Sequence, residues 1–443
     1  MHTIADIKAG LLQGATRLQI SENLTELPSD IYALAETLEV LDLSNNQLSQ
    51  LPDDFGCLQQ LKILFLSGNH FESLPSVLAK CPKLEMIGFK ANRISNIPEN
   101  ALPKATRWLI LTDNKIKVLP DSMGELAHLQ KLMLAGNQLS ALPESMANCR
   151  ALQLVRLSAN QLSGLPEWLL NLPKLAWLAF AGNPFCPAFV DSQALDALVN
   201  VHFEDLKQHE CLGQGASGII SRATWVNAPE HVSDATQAVA FKVFKGQVTS
   251  DGYPSDELHA TLAAGIHPNL VPLIAKVEHE EQLGLVMKLI DRDFSNLGEP
   301  PSLQSCTRDH FDEHFMLTVS AVLKITRSVS QVLLHLLEQG VCHGDIYAHN
   351  TLVNTEADVL FGDFGAASNY AALSALKAEA LQKVEVRAFG CLMEDLLGSS
   401  CDSDECPDLF EPLVMLKNRC MHPKPQARPT FADIQSELET LKG

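Results

Sequence analysis

Apolar and polar positions recur in phase over the first part of the chain. The dipeptide Leu-Pro, once Ile-Pro, returns at Leu27, Leu51, Leu74, Ile97, Leu119, Leu142 and Leu165, at intervals of 24, 23, 23, 22, 23 and 23 residues. In step with it stand Asn46, Asn69, Asn92, Asn114, Asn137, Asn160 and Asn183, within runs such as "LEVLDLSNNQL" (38–48) and "LQKLMLAGNQL" (129–139). The alternating L-x-L predicts a short strand with its leucines turned inward. Past each strand the chain must turn, which leaves backbone groups that no sheet satisfies. A buried asparagine, with donor and acceptor on one short side chain, supplies those bonds. Units of this kind bury their apolar face only by stacking, so each depends on its neighbours.

The pattern, L-x-x-L-x-L-x-x-N-x-L in seven phased copies, resembles leucine-rich repeats. The stretch "TRLQISENLTELP" (16–28) looks like an imperfect copy acting as an N-terminal cap. Between the inward leucines, Val40, Ile63, Met86, Trp108, Lys131, Leu154 and Trp177 point outward, as do Asp42, Phe65, Gly88, Ile110, Met133, Arg156 and Ala179. An outward stripe this apolar exceeds what solubility requires. It reads as a surface for a protein substrate or regulator, with Trp108 and Trp177 as anchors beside Phe65 and Met133, or as a face packed against the chain's own second half. After "AGNPFCP" (181–187) the repeats stop, and "AFVDSQALDALVNVHF" (188–203) reads as a cap or connecting helix, too short and too acidic to span a membrane.

A different grammar follows. In "CLGQGASGIISRATW" (211–225), Gly213, Gly215 and Gly218 form G-x-G-x-x-G. Glycine there admits close approach of phosphates to backbone N–H groups. A dinucleotide-binding fold needs a helix after the glycines; here β-favouring "GIISRATW" follows, so the glycines belong to a hairpin between strands. Then come "AVAFKVFKG" (238–246), a helical stretch with Glu257, the apolar strand "LGLVMKLID" (283–291), "VCHGDIYAHNTLVN" (341–354), "VLFGDFGAAS" (359–368), "VEVRAFGCLMEDLL" (384–397) and "HPKPQARPTFADI" (422–434).

Composition narrows the class. A chain of 443 residues exceeds one core, and 46% hydrophobic with 19% charged residues is globular rather than disordered. The net charge of −20 argues against nucleic acid as a direct ligand. Residues 1–190 carry 17 acids and 15 bases, residues 191–443 carry 36 and 18, so the second half favours basic or neutral macromolecular partners. Eleven scattered cysteines predict reduced thiols. "CDSDEC" (401–406) predicts an exposed acidic loop rather than a metal site, which needs more soft ligands at tighter spacing. Neither a secretory signal nor an apolar run of membrane-spanning length is visible; a cytoplasmic protein is the expectation.

Seven motifs in order make residues 204–443 resemble a eukaryotic-type protein kinase domain, and the whole chain resemble the soluble bacterial leucine-rich-repeat protein kinases. The expected fold is two-domain: an α/β repeat solenoid over 1–187, a connecting segment over 188–203, and a bilobal α+β kinase-like domain over 204–443. The resemblance implies ATP, Mg²⁺ and γ-phosphoryl transfer to a protein hydroxyl, serine or threonine favoured. It implies nucleotide contacts from Leu212, Gly213, Gln214, Gly215, Ala216, Ser217, Gly218, Ile220 and Ala240, with Met287 behind the adenine and Lys288 to Ile290 offering backbone bonds. Lys242 would face the phosphates, paired with Glu257 or, failing that, Asp256. Asp345 would accept the attacking hydroxyl's proton, and Asn350 and Asp363 would hold the metal.

Several positions depart from the family pattern. Gly344 stands where an arginine precedes the catalytic aspartate, Tyr347 where serine/threonine kinases place a lysine, and His349 where tyrosine kinases place an arginine. No A-P-E follows Asp363-Phe364-Gly365, which leaves Glu379 as the nearest acid for Arg428, and Glu385 replaces the aspartate that opens the next helix. Two other readings compete: a repeat scaffold with an inactive kinase domain, and an aminoglycoside-type small-molecule kinase, which also writes His-Gly-Asp but would lack the glycine loop, the D-F-G and the Arg428 ending.

Overall fold

The computed structural model describes residues 2–186, 198–215, 217–226, 228, 238–279, 282–371 and 373–442. The chain forms two compact units, Met1–Leu175 with Asn183–Phe185, and Ala176–Gly182 with Cys186–Gly443. This moves Ala176–Gly182 across the boundary expected at residue 187. Most of the expected connecting segment (188–203) lies outside the described residues.

The first unit opens with helix α1 (Ile4–Lys8), started by a capping box between Thr3 and Asp6. Seven three-residue strands follow, from β1 (Arg17–Gln19) through β2 (Val40–Asp42), β3 (Ile63–Phe65), β4 (Met86–Gly88), β5 (Trp108–Ile110) and β6 (Lys131–Met133) to β7 (Leu154–Arg156), each paired in parallel with the next. The middle residue of each (Leu18, Leu41, Leu64, Ile87, Leu109, Leu132, Val155) is buried in the solenoid core. The Leu-Pro ladder has a local cause. Pro52, Pro75, Pro120 and Pro143 stand at the start of 3-10 turns with φ between −66° and −70°, the value their ring imposes. Pro166 does the same for helix α2 (Glu167–Leu170).

The asparagine ladder joins the repeats. Asn137 Nδ2 donates to the carbonyls of Leu111 in the preceding repeat (2.9 Å) and Leu134 in its own (3.0 Å), while Oδ1 accepts from Ile116 N–H (3.0 Å). Asn69, Asn114 and Asn160 repeat the arrangement. Asn137→Ala leaves the buried Ile116 N–H without its acceptor and takes one of two asparagine bonds from each of the Leu111 and Leu134 carbonyls, which Asn114 and Asn160 still hold. An unsatisfied buried amide costs about 1–3 kcal/mol, and urea unfolding should show a loss on the order of 2 kcal/mol.

The second unit contains strand β8 (Trp177–Ala179) and a five-stranded antiparallel sheet. Its strands are β9 (Leu206–Gln214), β10 (Gly218–Trp225), β11 (Ala238–Phe244), β12 (Leu273–His279) and β13 (Gln282–Lys288), in the order β12-β13-β11-β10-β9. One face is closed by a core of Leu206, Trp225, Val239, Phe241, Val277 and Val286. Strand alternation turns Ala240 and Lys242 to the other face. Helix α3 (Pro254–Ala264) carries Glu257. Below follow the amphipathic helix α4 (Val319–Glu338), the hairpin of β14 (Thr351–Val353) and β15 (Val359–Phe361), and helices α5 (Ala375–Gly398), α6 (Pro407–Cys420) and α7 (Phe431–Thr440). The acidic loop at 401–406 closes a helix end. There Asp402 Oδ1 accepts the Val319 N–H at 2.7 Å, satisfying an open donor at the N-terminus of α4.

Candidate active site

The β9–β10 hairpin shows which of its glycines the sheet demands. A Cβ on Gly218 would lie 2.5 Å from the Val243 carbonyl oxygen, so only glycine lets β10 pair there with β11. Cβ atoms on Gly213 and Gly215 would meet nothing within 4 Å, which leaves room above them. Lys245 reaches back to the Gly215 carbonyl at 3.3 Å. Leu212 and Gln214 are exposed, Ser217 is buried, and Ile220 is half-buried opposite Lys242. Ala216 lies outside the described residues.

Lys242 is 5% exposed. Its Nζ lies 2.5 Å from Glu257 Oε1 and 3.3 Å from Asp363 Oδ1. Burial opposes the ammonium charge, but Asp363 and Glu257 outweigh it and hold the pKa above the ordinary lysine value. Burial raises the Glu257 carboxyl to about 7 against the pull of Lys242. The Lys242 charge holds Asp363 below the usual carboxylate range. Glu257, not Asp256, is thus the partner.

Asp363 has φ +58°, a left-handed conformation rare for a residue other than glycine and concentrated at functional sites. Its neighbour Phe364 is buried, with its ring 5.2 Å from that of His343. His343 Nδ1 accepts the Asp345 N–H at 3.3 Å, so its Nε2–H donates to the Gly362 carbonyl at 3.1 Å. Asn350 Nδ2 donates to Asp345 Oδ2 and to the Asp345 carbonyl, both at 2.9 Å. Glu385 Oε1 accepts the Gly344 N–H at 2.9 Å, and burial raises this carboxyl to about 7. The longer side chain therefore still anchors the loop that carries Asp345.

The donor set suits a hard cation. The Asn350 amide nitrogen is committed to Asp345, which leaves its oxygen, and the Asp363 side chain keeps 47% of its surface open. Oxygen ligands of this kind, completed by phosphate oxygens, are what Mg²⁺ takes.

Other residues depart from expectation. The Lys288 N–H is already committed to the Pro272 carbonyl at 3.0 Å, so it does not offer a bond to adenine. Met287 is half-buried and pairs with Ala240, itself buried. Leu212, Lys288 and Ile290 share the wall of a cavity with Trp225, Val239 and Ile274; Val239 faces away from Lys242, so this cavity is not the one behind the phosphates. Tyr347 is buried and donates to the Thr307 carbonyl at 3.1 Å. His349 Nδ1 lies 2.7 Å from Asp309 Oδ1. Burial opposes a charge on His349, but the Asp309 bond outweighs it and raises the pKa. Thr307 and Asp309 sit in a stretch without a motif, so no sequence signal marked them. Arg428 donates to the Lys383 carbonyl at 2.7 Å and the His422 carbonyl at 2.9 Å, where the sequence pointed to Glu379.

The outward repeat positions divide. Phe65 and Trp108 are half-buried, with Lys131 Nζ 4.3 Å from the Trp108 ring centre. Met133 is buried, and Trp177 is 1% exposed within the second unit. Trp177 is therefore not an open anchor: its ring stacks on Tyr347, centroids 4.5 Å apart.

Residues 206–403 match the protein tyrosine and serine/threonine kinase family, and residues 14–71, 104–162 and 127–185 match the leucine rich repeat. The chain carries leucine-rich repeats and a protein kinase domain. Curated relatives include a serine/threonine/tyrosine-protein kinase HT1 of Arabidopsis thaliana, 24% identical over 48% of this chain and 58% of its own length. A fibroblast growth factor receptor 1 of Pleurodeles waltl is 20% identical over 52% of this chain and 34% of the receptor. The cytokinesis protein sepH of Aspergillus terreus is 32% identical over 39% of this chain and 11% of that protein. The chain thus spans less than two thirds of the length of each. All three come from eukaryotes, so they lend nothing to the bacterial side of the resemblance. Among the described residues no helix is long and apolar enough to cross a membrane.

A protein kinase domain implies ATP and a divalent metal, and the kinase domain's buried charge cluster generates a test. Removing one partner of a buried ion pair costs on the order of 3 kcal/mol. Glu257→Ala should therefore lower stability by on the order of 3 kcal/mol in urea unfolding, with the far-ultraviolet circular dichroism spectrum of the folded chain unchanged.

Proposed function

We propose that the chain is an ATP-dependent protein kinase that transfers the γ-phosphoryl group to serine or threonine hydroxyls in the cytoplasm, its repeats recruiting the protein substrate. The observation that carries this reading is the convergence of Lys242, Glu257 and Asp363 within ion-pair distance, beside an Asp345 held by Asn350. Lys242 is placed to hold the nucleotide phosphates, and Glu257 to keep it there. Asp345 orients the acceptor hydroxyl and takes its proton as the oxygen attacks phosphorus. The Asn350 loop and Asp363 would hold Mg²⁺, which when bound neutralises charge on the phosphate oxygens. With Tyr347 turned away to Thr307, His349 is the remaining cationic side chain of this loop, and Asp309 favours its charged form. Serine or threonine is favoured because serine/threonine kinases stand among the relatives, including a PITSLRE kinase of Drosophila melanogaster. Eleven free cysteines support a reducing compartment.

Incubation with labelled ATP and Mg²⁺ should label the protein itself or a basic acceptor protein, and phosphoamino-acid analysis should return phosphoserine or phosphothreonine. Asp345→Ala or chelation by EDTA should abolish labelling; label that survives Asp345→Ala would overturn the assignment. The half-buried stripe of Ile63, Phe65, Trp108 and Ile110 is the surface we assign to substrate recruitment. Phe65→Ala combined with Trp108→Ala should raise KM for the cellular substrate at least tenfold and leave the rate on the basic acceptor unchanged.

A further inference from the structure

Within the second unit, residues 176–182 and Cys186 touch each of the three elements that carry the phosphate-transfer chemistry. The Trp177 ring lies parallel to Tyr347, at 6° and 4.5 Å between centroids, and its Nε1–H donates to the Ile346 carbonyl at 3.0 Å. Both belong to the loop that presents Asp345 and Asn350. Tyr347 is clamped on its other side, its hydroxyl on the Thr307 carbonyl and its ring 4.9 Å from His349. Farther along, the Phe180 N–H donates to Ser368 Oγ at 2.9 Å and the Cys186 thiol to the Asn369 carbonyl at 3.3 Å, in the segment that follows Asp363. At Gly182 an added Cβ would lie 2.9 Å from Asp256 Oδ2, beside Glu257 on α3.

Gly344 fits the same contact. Its φ is +72°, and a Cβ there would come within 2.7 Å of both the Leu178 and Ala366 carbonyl oxygens. The space that a side chain at this position would need is filled by the backbone of residues 176–182 on one side and of the segment after Asp363 on the other.

We propose that Trp177 is a positioning residue for phosphoryl transfer. Through the Ile346 carbonyl and the Tyr347 ring it fixes the loop on which Asp345 and Asn350 stand. Residues 176–182 with Cys186 act as a built-in clasp that holds the loop, the segment after Asp363 and α3 in one arrangement. Its contacts run to the loop, the segment after Asp363 and α3. Its catalytic meaning rests on the protein-kinase reading above.

The full-length chain carrying Trp177→Phe keeps a ring for stacking and loses the N–H to Ile346. Its kcat should fall about tenfold, the equivalent of one hydrogen bond's worth of loop order. Affinity for a fluorescent Mg·ATP analogue should stay within about twofold, well under the tenfold that 1.4 kcal/mol represents. Hydrogen exchange should quicken across 343–351 while Val319–Glu338 keeps its protection. Wild-type kcat together with wild-type exchange at 343–351 would overturn the proposal, as would a loss of protection spread evenly over loop and helix, the mark of a merely structural role. Should Trp177→Phe fail to fold, Ser368→Ala, which removes the acceptor for Phe180 N–H, is read by the same two measurements. If wild type transfers no phosphate to any acceptor, the kinase reading fails, and the exchange comparison still decides whether the clasp orders the loop.

Discussion

The buried ammonium of Lys242 is the constraint on which the second unit depends. Withdrawing such an ion from water carries an effective penalty of several kcal/mol, and no sheet or helix offsets it alone. The offset requires Glu257 from α3 and Asp363 from the loop after β15, residues far apart in the chain, to arrive within ion-pair distance of one nitrogen. Satisfying this one charge fixes where α3 packs against the sheet and how Asp363 is turned, down to its left-handed backbone. The group that most needs compensation is thereby also the group most accurately placed.

The same rule operates, with neutral groups, in the repeats. Asn137 bonds two carbonyls and one amide that the short strands leave open, and it does so across a repeat boundary, as do Asn69, Asn114 and Asn160. The apolar stacking supplies the driving force, but it is directionless. The asparagine bonds supply the register. Lys242 and Asn137 therefore act alike: a buried polar group selects the single arrangement in which it is satisfied.

The departures from the kinase pattern become intelligible once their surroundings are seen. Gly344 stands where two backbone carbonyls leave no room for a side chain. Tyr347 is a packing residue between Trp177 and Thr307, and the nearby His349 is held by Asp309. Glu385 accepts the Gly344 N–H at 2.9 Å. Arg428 donates to the carbonyl oxygens of His422 and Lys383. Each change moves a partner while leaving a buried polar group satisfied.

Much of this was legible in the sequence, for a physical reason. The repeat solenoid follows from periodicity, because alternating leucines, prolines with a fixed φ and asparagines with two-sided hydrogen bonding each act within one or two repeats. The hairpin glycines, Lys242, Asp345, Asn350 and Asp363 were likewise picked out by their motifs, and the fold brings Lys242 to Asp363 and Asn350 to Asp345. Glu257 was the first choice for Lys242 and Asp256 the fallback, because one residue along a helix turns a side chain by about 100°; the packed helix brings Glu257 to the ammonium. Not legible were Thr307 and Asp309, which act on residues forty positions away in the chain. Trp177 carries the sharpest contrast. Periodicity put it on an outward face, and so it is, but whether an outward tryptophan meets solvent, a partner or the catalytic loop depends on which surface the folded chain brings against it, and that only the tertiary structure decided.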